Sequence, residues 1–298
     1  AVRLRAGDLG VDLRQVRGTG PANRITHADL DLFVTGGVAA TRQSSAASAL
    51  GAVTETKIVG LRRKIAEQMS RSASRIPHIS YVDEVDLAGV ESLRAALNDG
   101  TRTKLTLLPF VIRALVRAIA EQPHLNSTFD DESGVLSTFA DVNVGIATQT
   151  SNGLIVPVVR NAGRRSVWAT AAEIARVSEA ARTGTATRDD LNGSTITITS
   201  LGALGGLVTT PIINHPEVAI IGINKIQIRP VWDTDHFVPK PMMNLSSSFD
   251  HRIVDGFDAA TFIQRIKALL ETPALLFIGG DGDELIDGDG ERNSKDSG

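Results

Sequence analysis

Apolar residues recur at two different periods along most of the chain. Ile58, Leu61, Ile65 and Met69 share one face of a predicted helix, and the same spacing predicts helices over residues 90–97, 105–120, 168–182 and 262–270. Apolar and β-branched runs predict strands over residues 78–85, 142–148, 154–159, 195–199, 218–228 and 242–249. Because helices and strands are interspersed without a regular strand–helix–strand alternation, the pattern favours an α+β sandwich.

The same pattern divides the chain into four predicted parts. Residues 1–34 form a small unit in which Gly18-Thr19-Gly20-Pro21 marks a turn and Thr26 caps a helix. Residues 35–56 are rich in Ala, Ser, Thr and Gly and predict a flexible linker. Residues 57–279 carry the periodic core pattern, and residues 280–298 predict a disordered acidic tail.

Composition narrows the class of protein. The chain has 298 residues, 42% hydrophobic content and a net charge of −3. It has no excess of basic residues that would indicate nucleic-acid binding, and no apolar run long enough to predict a membrane span. It contains no cysteine, which excludes disulfides, thiolate nucleophiles and cysteine metal sites. The aspartates of the acidic tail resemble calcium ligands, but the tail lacks the glycine and glutamate of an EF-hand loop at the required positions. We therefore expect no metal site.

The segment Ser247-Ser248-Phe249-Asp250-His251-Arg252-Ile253-Val254-Asp255-Gly256 carries the strongest chemical signal. A β-rich run delivers His251, and Asp255 follows four residues later, before an amphipathic helix. An imidazole has an ordinary pKa near ~6.5, so His251 can accept a proton at neutral pH, which suits the activation of a thiol or hydroxyl for acyl transfer. The other five histidines lie in turn-like, charged or small-domain contexts that predict structural roles.

Several segments together resemble one family. The run from Asp250 to Gly256 is similar to the DHRxxDG signature of the acyltransferase (E2) components of 2-oxo acid dehydrogenase complexes. Ile76-Pro77-His78, the run from Gly153 to Val159, and the run from Thr197 to Gly202 followed by Pro216-Glu217-Val218-Ala219-Ile220 resemble further segments of that family, in family order. The resemblance covers roughly residues 53–279 and implies a chloramphenicol-acetyltransferase-like sandwich of a mixed sheet and helices. Residues 1–34 resemble the family's peripheral subunit-binding domain, which is helical.

The resemblance implies a reaction and its residues. Dihydrolipoamide and coenzyme A (CoA) exchange an acyl group directly, with His251 as general base, Thr199 stabilising the oxyanion and Asp255 supporting the local geometry. The positions that match CoA contacts of the branched-chain members are Ser200, Arg75, Gln149, Ser178, Asn224 and Ile226. Arg75 would suit a phosphate, and a solvated arginine is its alternative interpretation.

The resemblance also implies partners. A homotrimer, with His251 of one subunit beside Thr199 of the next, would assemble into a cage, and the apolar run 274–278 would suit contacts between trimers or an intramolecular core. Arg3 and Arg24 are the candidates for docking dihydrolipoyl dehydrogenase (E3) or the decarboxylase (E1), with solvated surface as the alternative. The lipoyl group would sit on a domain absent from this sequence, which begins Ala1-Val2-Arg3 and which we expect to be a piece of a longer protein.

Two other functions compete with this hypothesis. One is a non-catalytic E2-like scaffold, against which the intact trio of His251, Asp255 and Thr199 argues. The other is another HxxxDG CoA-dependent acetyltransferase, against which the small N-terminal unit and its linker argue. The sequence leaves the acyl group open, with a lean towards branched-chain members, and the expected compartment is the bacterial cytoplasm or the mitochondrial matrix.

Overall fold

The computed structural model describes residues 1–35, 53–98, 100, 103–151 and 153–278. The chain divides into two units, Ala1–Lys57 and Ile58–Gly298. Most of the predicted linker, and the acidic tail with its aspartates, lie outside the described residues, so those two predictions stay predictions. None of the described helices is both long and apolar enough to cross a membrane.

The described residues of the first unit form two short α-helices, α1 (Val2–Asp8) and α2 (His27–Val34). Thr26 caps α2 as predicted, and Asp29 returns the interaction by accepting from the backbone N–H of Thr26, which completes a capping box. Asp29 also accepts from the backbone and side chain of Thr19, so one carboxylate ties the preceding turn to the helix. Gly18 is required there, because a Cβ atom would lie 2.2 Å from the Asn23 carbonyl oxygen.

The second unit contains five helices and ten strands among its described residues. The helices are α3 (Gly60–Arg75), α4 (Ala88–Leu97), α5 (Leu108–Glu121), α6 (Val167–Thr183) and α7 (Gly256–Glu271). The strands are β1 (His78–Asp86), β2 (Ser127–Asp130), β3 (Val135–Thr138), β4 (Val144–Thr150), β5 (Gly153–Ile155), β6 (Val158–Val159), β7 (Ile196–Ser200), β8 (Ala219–Ile223), β9 (Gln227–Asp233) and β10 (His236–Asp250).

Eight of these strands form one mixed sheet. Its order is β1-β10-β8-β7-β4-β5, with β6 added to β4 and β9 added to β10. Strands β4, β7 and β8 run parallel, whereas β10 is antiparallel to both β8 and β1. The strands β2 and β3 form a separate two-stranded sheet.

Helices α4 to α7 pack with the sheet around a continuous apolar core. The helix α5 contributes eight buried residues, and α7 buries the predicted stripe of Phe262, Ile263, Ile266, Leu269 and Leu270. The ring of Phe249 on β10 lies edge-on to that of Phe262, with ring centres 6.3 Å apart. The predicted α+β architecture with a small helical N-terminal unit is therefore confirmed.

Two predicted strands are interrupted in the structure. Residues 154–159 divide between β5 and β6. Residues 218–228 form two strands, because the chain leaves the sheet after Ile223 and re-enters as β9, which pairs with β10 in place of β7. The interruption falls at residues 224–226, where the Asn224 amide donates to the Asn244 carbonyl and to Ser246 Oγ. A continuous apolar pattern cannot reveal such a break, since the hydrogen bonds at this point join Asn224 to residues of β10 that lie twenty or more positions later in the sequence.

Candidate active site

The end of β10 delivers His251 to an accessible position. Its side chain is 47% exposed, and its backbone N–H donates to the Pro77 carbonyl at 3.0 Å. The N–H groups of Ile253 and Val254 both donate to the Asp250 carbonyl at 2.9 Å, and Val254 is fully buried. The backbone of this turn is thus held at several points, while the imidazole itself reaches solvent.

The flanking residues Asp250 and Arg252 brace the turn. Asp250 is 1% exposed, and Arg252 binds it with Nε donating to Oδ1 at 2.9 Å and Nη2 donating to Oδ2 at 2.6 Å. The hydrogen bonds to Asp250 raise the pKa of the Arg252 guanidinium, which stays charged. That guanidinium also stacks over the Phe129 ring at 4.8 Å. A buried, two-pronged ion pair therefore fixes the residues on either side of the histidine.

Asp255 stands at the N-cap of α7, but its carboxylate forms no capping hydrogen bond. Its Oδ1 atom lies 3.8 Å from His251 Nδ1, beyond hydrogen-bond distance and within reach of a charge interaction. Its side chain is 82% exposed. At this distance the carboxylate faces the imidazole without a hydrogen bond between them. We call His251, Asp255 and the Asp250–Arg252 pair the histidine half-site.

Thr199 lies near the end of β7, where β8 and β4 flank it. A cavity of about 140 Å³ lies beside it and is lined by both predicted site residues at the end of this strand, Thr199 and Ser200. Its lining residues are Thr199, Ser200, Leu201, Gly205, Thr209, Thr210, Pro211, Ile223 and Asn224. The neighbouring Gly222 keeps this region closely packed, because a Cβ atom there would lie 2.8 Å from the Ser246 carbonyl oxygen.

A larger cavity of about 510 Å³ adjoins the first and shares Ser200, Ile223 and Asn224 with it. Its other lining residues are Thr106, Leu107, Leu108, Gly202, Lys225 and Ile226. Asn224 is 4% exposed, and its amide nitrogen is used by two hydrogen bonds, whereas Oδ1 has no partner among the described residues. We call Thr199, Ser200, Asn224 and these two cavities the threonine half-site.

The structure brings together four of the predicted residues, Thr199, Ser200, Asn224 and Ile226. The other three predicted CoA contacts line neither cavity. Arg75 pairs with Asp131 and Glu132 at 3.2 Å each, Gln149 Nε2 donates to the Thr150 carbonyl, and Ser178 is buried on α6. Because two carboxylates surround it, Arg75 is less suited to a phosphate than a free cation would be. The predicted roles of these three residues stay predictions.

The two half-sites lie far apart within one chain. Thr199 pairs with Gly222, which pairs with Ser246, and His251 follows Ser246 by five residues along β10. At roughly 3.3 Å per residue and roughly 4.8 Å between strands, the Cα atoms of Thr199 and His251 are on the order of 19 Å apart. A general base and an oxyanion donor must each lie about 3 Å from the atoms on which they act. One copy of the chain therefore cannot assemble both on one substrate.

The remaining histidines have other surroundings. His78 is held at both ring nitrogens, since Nε2 accepts from the Ile213 N–H at 3.0 Å and Nδ1 lies 2.9 Å from the Ile76 carbonyl oxygen. His215 lies 3.4 Å from Asp131. Arg3 and Arg24 are exposed and form no ion pair with described residues, which suits docking and solvated surface equally. No group of three potential metal ligands occurs in the described parts of the chain.

Comparison with known families places the chain. The family model for the 2-oxoacid dehydrogenases acyltransferase (catalytic domain) matches residues 51–278, and the model for the e3 binding domain matches residues 1–31. The chain therefore belongs to the 2-oxoacid dehydrogenase acyltransferase family. That identification confirms the resemblance seen in the sequence motifs.

Two curated relatives show the range of similarity. The chain is 53% identical over 284 residues to the lipoamide acyltransferase component of the branched-chain alpha-keto acid dehydrogenase complex of Pseudomonas aeruginosa, covering 93% of this chain and 66% of that one. It is 38% identical over 302 residues to the dihydrolipoyllysine-residue acetyltransferase component of the pyruvate dehydrogenase complex of Staphylococcus aureus, covering 94% and 70%. The chain thus spans about two thirds of the length of these relatives.

Solved structures agree on the fold. Dihydrolipoamide acetyltransferase of Azotobacter vinelandii superposes with a TM-score of 0.74 at 34% identity, covering 78% of this chain and 97% of that one. The cubic core of the pyruvate dehydrogenase multienzyme complex superposes with a TM-score of 0.73 at 35% identity, covering 78% and 96%.

Sequence reasoning missed two features of the site. The Arg252 brace lies inside the motif, but no sequence pattern indicates that its partner is the buried Asp250 rather than solvent. Lys225 was passed over although it stands between two predicted contacts, Asn224 and Ile226. Its position between them was the available signal.

Proposed function

We propose that this chain transfers an acyl group between dihydrolipoamide and CoA, with His251 as general base and Thr199 as the oxyanion donor. The observation that carries the proposal is the accessible His251 on a braced turn, together with a second half-site in which Thr199 lines a cavity of about 140 Å³ that adjoins one of about 510 Å³. The family membership established above supports the reaction class.

The chemistry follows from the thiol substrates. A thiol has an ordinary pKa near ~8.5, so only a few per cent is thiolate at neutral pH. His251 takes the proton of the CoA thiol, and the sulfur attacks the thioester carbonyl of the acylated dihydrolipoamide. The Thr199 hydroxyl donates to the resulting oxyanion. Collapse breaks the bond to the dihydrolipoamide sulfur, which receives the proton from the imidazolium. Asp255 would favour that imidazolium by its charge.

The spacing of residues supports these roles. A serine, a histidine and an asparagine of the Azotobacter vinelandii enzyme have been investigated for their role in its catalytic mechanism, the serine standing 52 positions before the histidine and the asparagine four after it. Thr199 stands 52 positions before His251, and Asp255 stands four after it. Threonine keeps the hydroxyl of serine, and aspartate keeps one oxygen acceptor of asparagine.

The separation of the half-sites supports an assembly in which neighbouring copies complete one another. We infer that His251 of one copy meets the Thr199 side of the next in a homotrimer, and that trimers assemble further, as in the cubic core named above. The binding of E3 or E1 through residues 1–34, with Arg3 and Arg24, remains part of this proposal. The higher identity to the branched-chain relative favours a branched-chain acyl group, and the bacterial relatives favour the cytoplasm.

Complementation between inactive variants tests the proposal. His251→Ala and Thr199→Ala are each expected to lose activity, and co-expressed in one cell they should form mixed trimers in which some interfaces pair an intact His251 with an intact Thr199. Transfer from acyl-CoA to free dihydrolipoamide should then return to a sizeable fraction of the wild-type rate.

Three outcomes separate the alternatives. Rescue in mixed trimers supports a shared site. Loss of activity in both single variants without rescue, in assemblies shown by mass spectrometry to be mixed, would contradict it. Normal assembly of a wild-type protein that transfers no acyl group would point to a scaffold. Acetyl-, isobutyryl- and succinyl-CoA compared side by side would identify the acyl group.

A further inference from the structure

One carboxylate lies between the histidine turn and two other segments of the chain. Asp131 stands in the turn between β2 and β3. Its Oδ2 atom lies 3.2 Å from Arg75 Nη1 and 3.9 Å from Arg252 Nη1, and its Oδ1 atom lies 3.4 Å from His215 Nε2. Two guanidinium groups and an imidazole, from three separate segments, therefore converge on one side chain.

The hairpin that presents Asp131 is itself held in place. The Asp130 carboxylate accepts from the Glu132 N–H at 3.0 Å, within the turn between the two strands. The N–H of Phe129 donates to the Pro216 carbonyl at 2.8 Å, which joins β2 to the segment just before β8. The position of the Asp131 carboxylate is thus set by contacts outside the histidine half-site.

The contact with Arg252 matters most, because this residue directly follows His251. Its Nε and Nη2 atoms bind Asp250 within the turn, and Nη1 is the nitrogen that faces Asp131. The ring of Phe129, two positions before Asp131, lies against the same guanidinium, with the ring centre 4.8 Å from its carbon. The β2–β3 hairpin therefore contacts Arg252 through both a charge and an aromatic face.

The contact with Arg75 closes a ring of interactions. The His251 N–H donates to the Pro77 carbonyl at 3.0 Å, and Pro77 follows Arg75, the last residue of α3, by two positions. Asp131 joins the same two segments a second time, through Arg75 on one side and Arg252 on the other. A single link would act as a hinge, whereas two separate links resist rotation of the histidine turn.

The low exposure of the pair between Asp131 and Arg252 gives the second link its weight. An ion pair between two exposed side chains contributes little, because water screens it. Asp131 is 15% exposed and Arg252 is 29% exposed, so solvent screens this pair less. Asp250 already compensates the charge of Arg252 within the turn. Asp131 adds a fixed direction for the guanidinium, set by a hairpin outside the turn.

We propose that Asp131 is a positioning residue for the base. It holds Arg252, and with it the turn that carries His251, against the end of α3 and the β2–β3 hairpin. This inference rests on the proposed function, since it treats His251 as the general base. Asp131 itself touches no substrate and transfers no proton.

Asp131→Asn in the fully assembled protein tests the role. The variant should fold, because Arg252 keeps Asp250 and Arg75 keeps Glu132 as partners. Its kcat for acyl transfer should fall roughly tenfold, less than the roughly 10²-fold that a displacement of about 1 Å can cost. The KM values for CoA and dihydrolipoamide should stay unchanged, because no substrate contact is lost. Asp131→Glu retains the carboxylate and should recover most of kcat.

Glu132→Gln is the matched control. Glu132 is the neighbouring carboxylate and pairs with Arg75 at 3.2 Å, but it has no ion pair with the histidine turn in the described parts of the chain. The control should keep the wild-type kcat. Combining Asp131→Asn with Arg252→Met should lower kcat no further than Arg252→Met alone, because Asp131 acts through that guanidinium. A further tenfold loss in the double variant would overturn the assignment.

Hydrogen exchange at the amides of residues 251–254 gives a readout that does not depend on turnover. These four amides donate to Pro77 and Asp250, and they should exchange faster in Asp131→Asn than in the wild type or in Glu132→Gln. Unchanged exchange would overturn the positioning role and leave the proposed function standing.

The kinetic outcomes complete the test. Faster exchange with an unchanged kcat would overturn the role, because the turn would then be anchored without consequence for the base. A raised KM with an unchanged kcat would overturn it as well, since Asp131 would then act in substrate binding. If exchange becomes faster in Asp131→Asn but the wild type transfers no acyl group, the proposed reaction fails while the anchoring of the turn by Asp131 stands.

Discussion

The two half-sites differ in how completely their polar groups are satisfied. Around His251 the buried carboxylate of Asp250 has its guanidinium, and the turn backbone is hydrogen-bonded at the four amides of residues 251–254. Near Thr199 a buried amide oxygen of Asn224 has no partner among the described residues, and two adjoining cavities are lined by Asn224. Folding of the chain alone therefore satisfies these polar groups of the histidine half-site. Under the proposed function, a ligand and a neighbouring copy would complete the second half-site, so the proposed base would be preorganised while the binding side stays open.

Removing the base should produce the largest effect. His251→Ala takes away the proton acceptor on the braced turn, and kcat for acyl transfer should fall by roughly 10²–10⁴. Assembly should be preserved, because the imidazole is half exposed and its loss leaves no cavity. Steady-state kinetics and size-exclusion chromatography check both points. His236→Ala, on an exposed hairpin, is the matched control, and an equal loss there would remove the special status of His251.

Removing the Arg252 guanidinium should leave the buried Asp250 carboxylate of the histidine half-site without its ion pair. Arg252→Met keeps the apolar stem but leaves the Asp250 carboxylate, 1% exposed, without its partner, which should lower the unfolding free energy by about 3–5 kcal/mol. Urea unfolding measures it. Arg265→Met, which breaks the exposed pair with Glu121, should cost less than about 1 kcal/mol. Similar costs for both variants would show that the brace does not stabilise the turn.

Removing the hydroxyl from the open half-site should affect turnover more than stability. Thr199→Ala should lower kcat by roughly 10²–10³ with a smaller change in KM, because the hydroxyl is needed most when the oxyanion forms. Thr199→Ser retains the hydroxyl and should recover most of the rate. If KM rises while kcat is unchanged, Thr199 contacts the substrate in the ground state only. The threonine half-site would then contribute to binding and not to the chemical step.

Much of this organisation is readable from sequence, and the rest fails for physical reasons. The helical stripe on α7 and the N-cap role of Thr26 depend on local spacing, and both were predicted. The family segments also suggested His251, Asp255 and Thr199 as site residues, and those roles stay predictions. The break after Ile223 was missed, because it depends on hydrogen bonds from Asn224 to β10.

The electrostatic partners were equally invisible. Arg75 was predicted to suit a phosphate, and only the folded chain shows Asp131 and Glu132 beside it, more than fifty residues away in sequence. The pairing of Asp250 with Arg252 is local, but its burial depends on elements distant in the chain. Residue type and spacing indicate what a side chain can do. Its charge environment is set by long-range packing.

The smallest expected effect concerns a buried acid just before β8. Glu217 is 1% exposed, and burial raises its pKa from 4.5 to about 7, against the opposing hydrogen bonds from Ser194 and Asn214. One of its carboxyl oxygens has no partner among the described residues. The folded protein therefore holds this proton more tightly than the unfolded chain does. The associated stability is fully present below pH 4.5 and is lost as pH rises towards about 7.

Glu217→Gln removes the ionisable group while keeping its shape. The variant should match the wild type near pH 4.5 and exceed it at pH 8 by up to about 3 kcal/mol, the free energy that corresponds to the pKa difference between 4.5 and about 7. Thermal unfolding of both proteins across this range measures the difference. Glu179→Gln, exposed on α6, should show no such trend. If instead the stability of the wild type rises relative to that of the variant as pH increases, hydrogen-bond partners stabilise the Glu217 carboxylate, and this buried acid is fully satisfied.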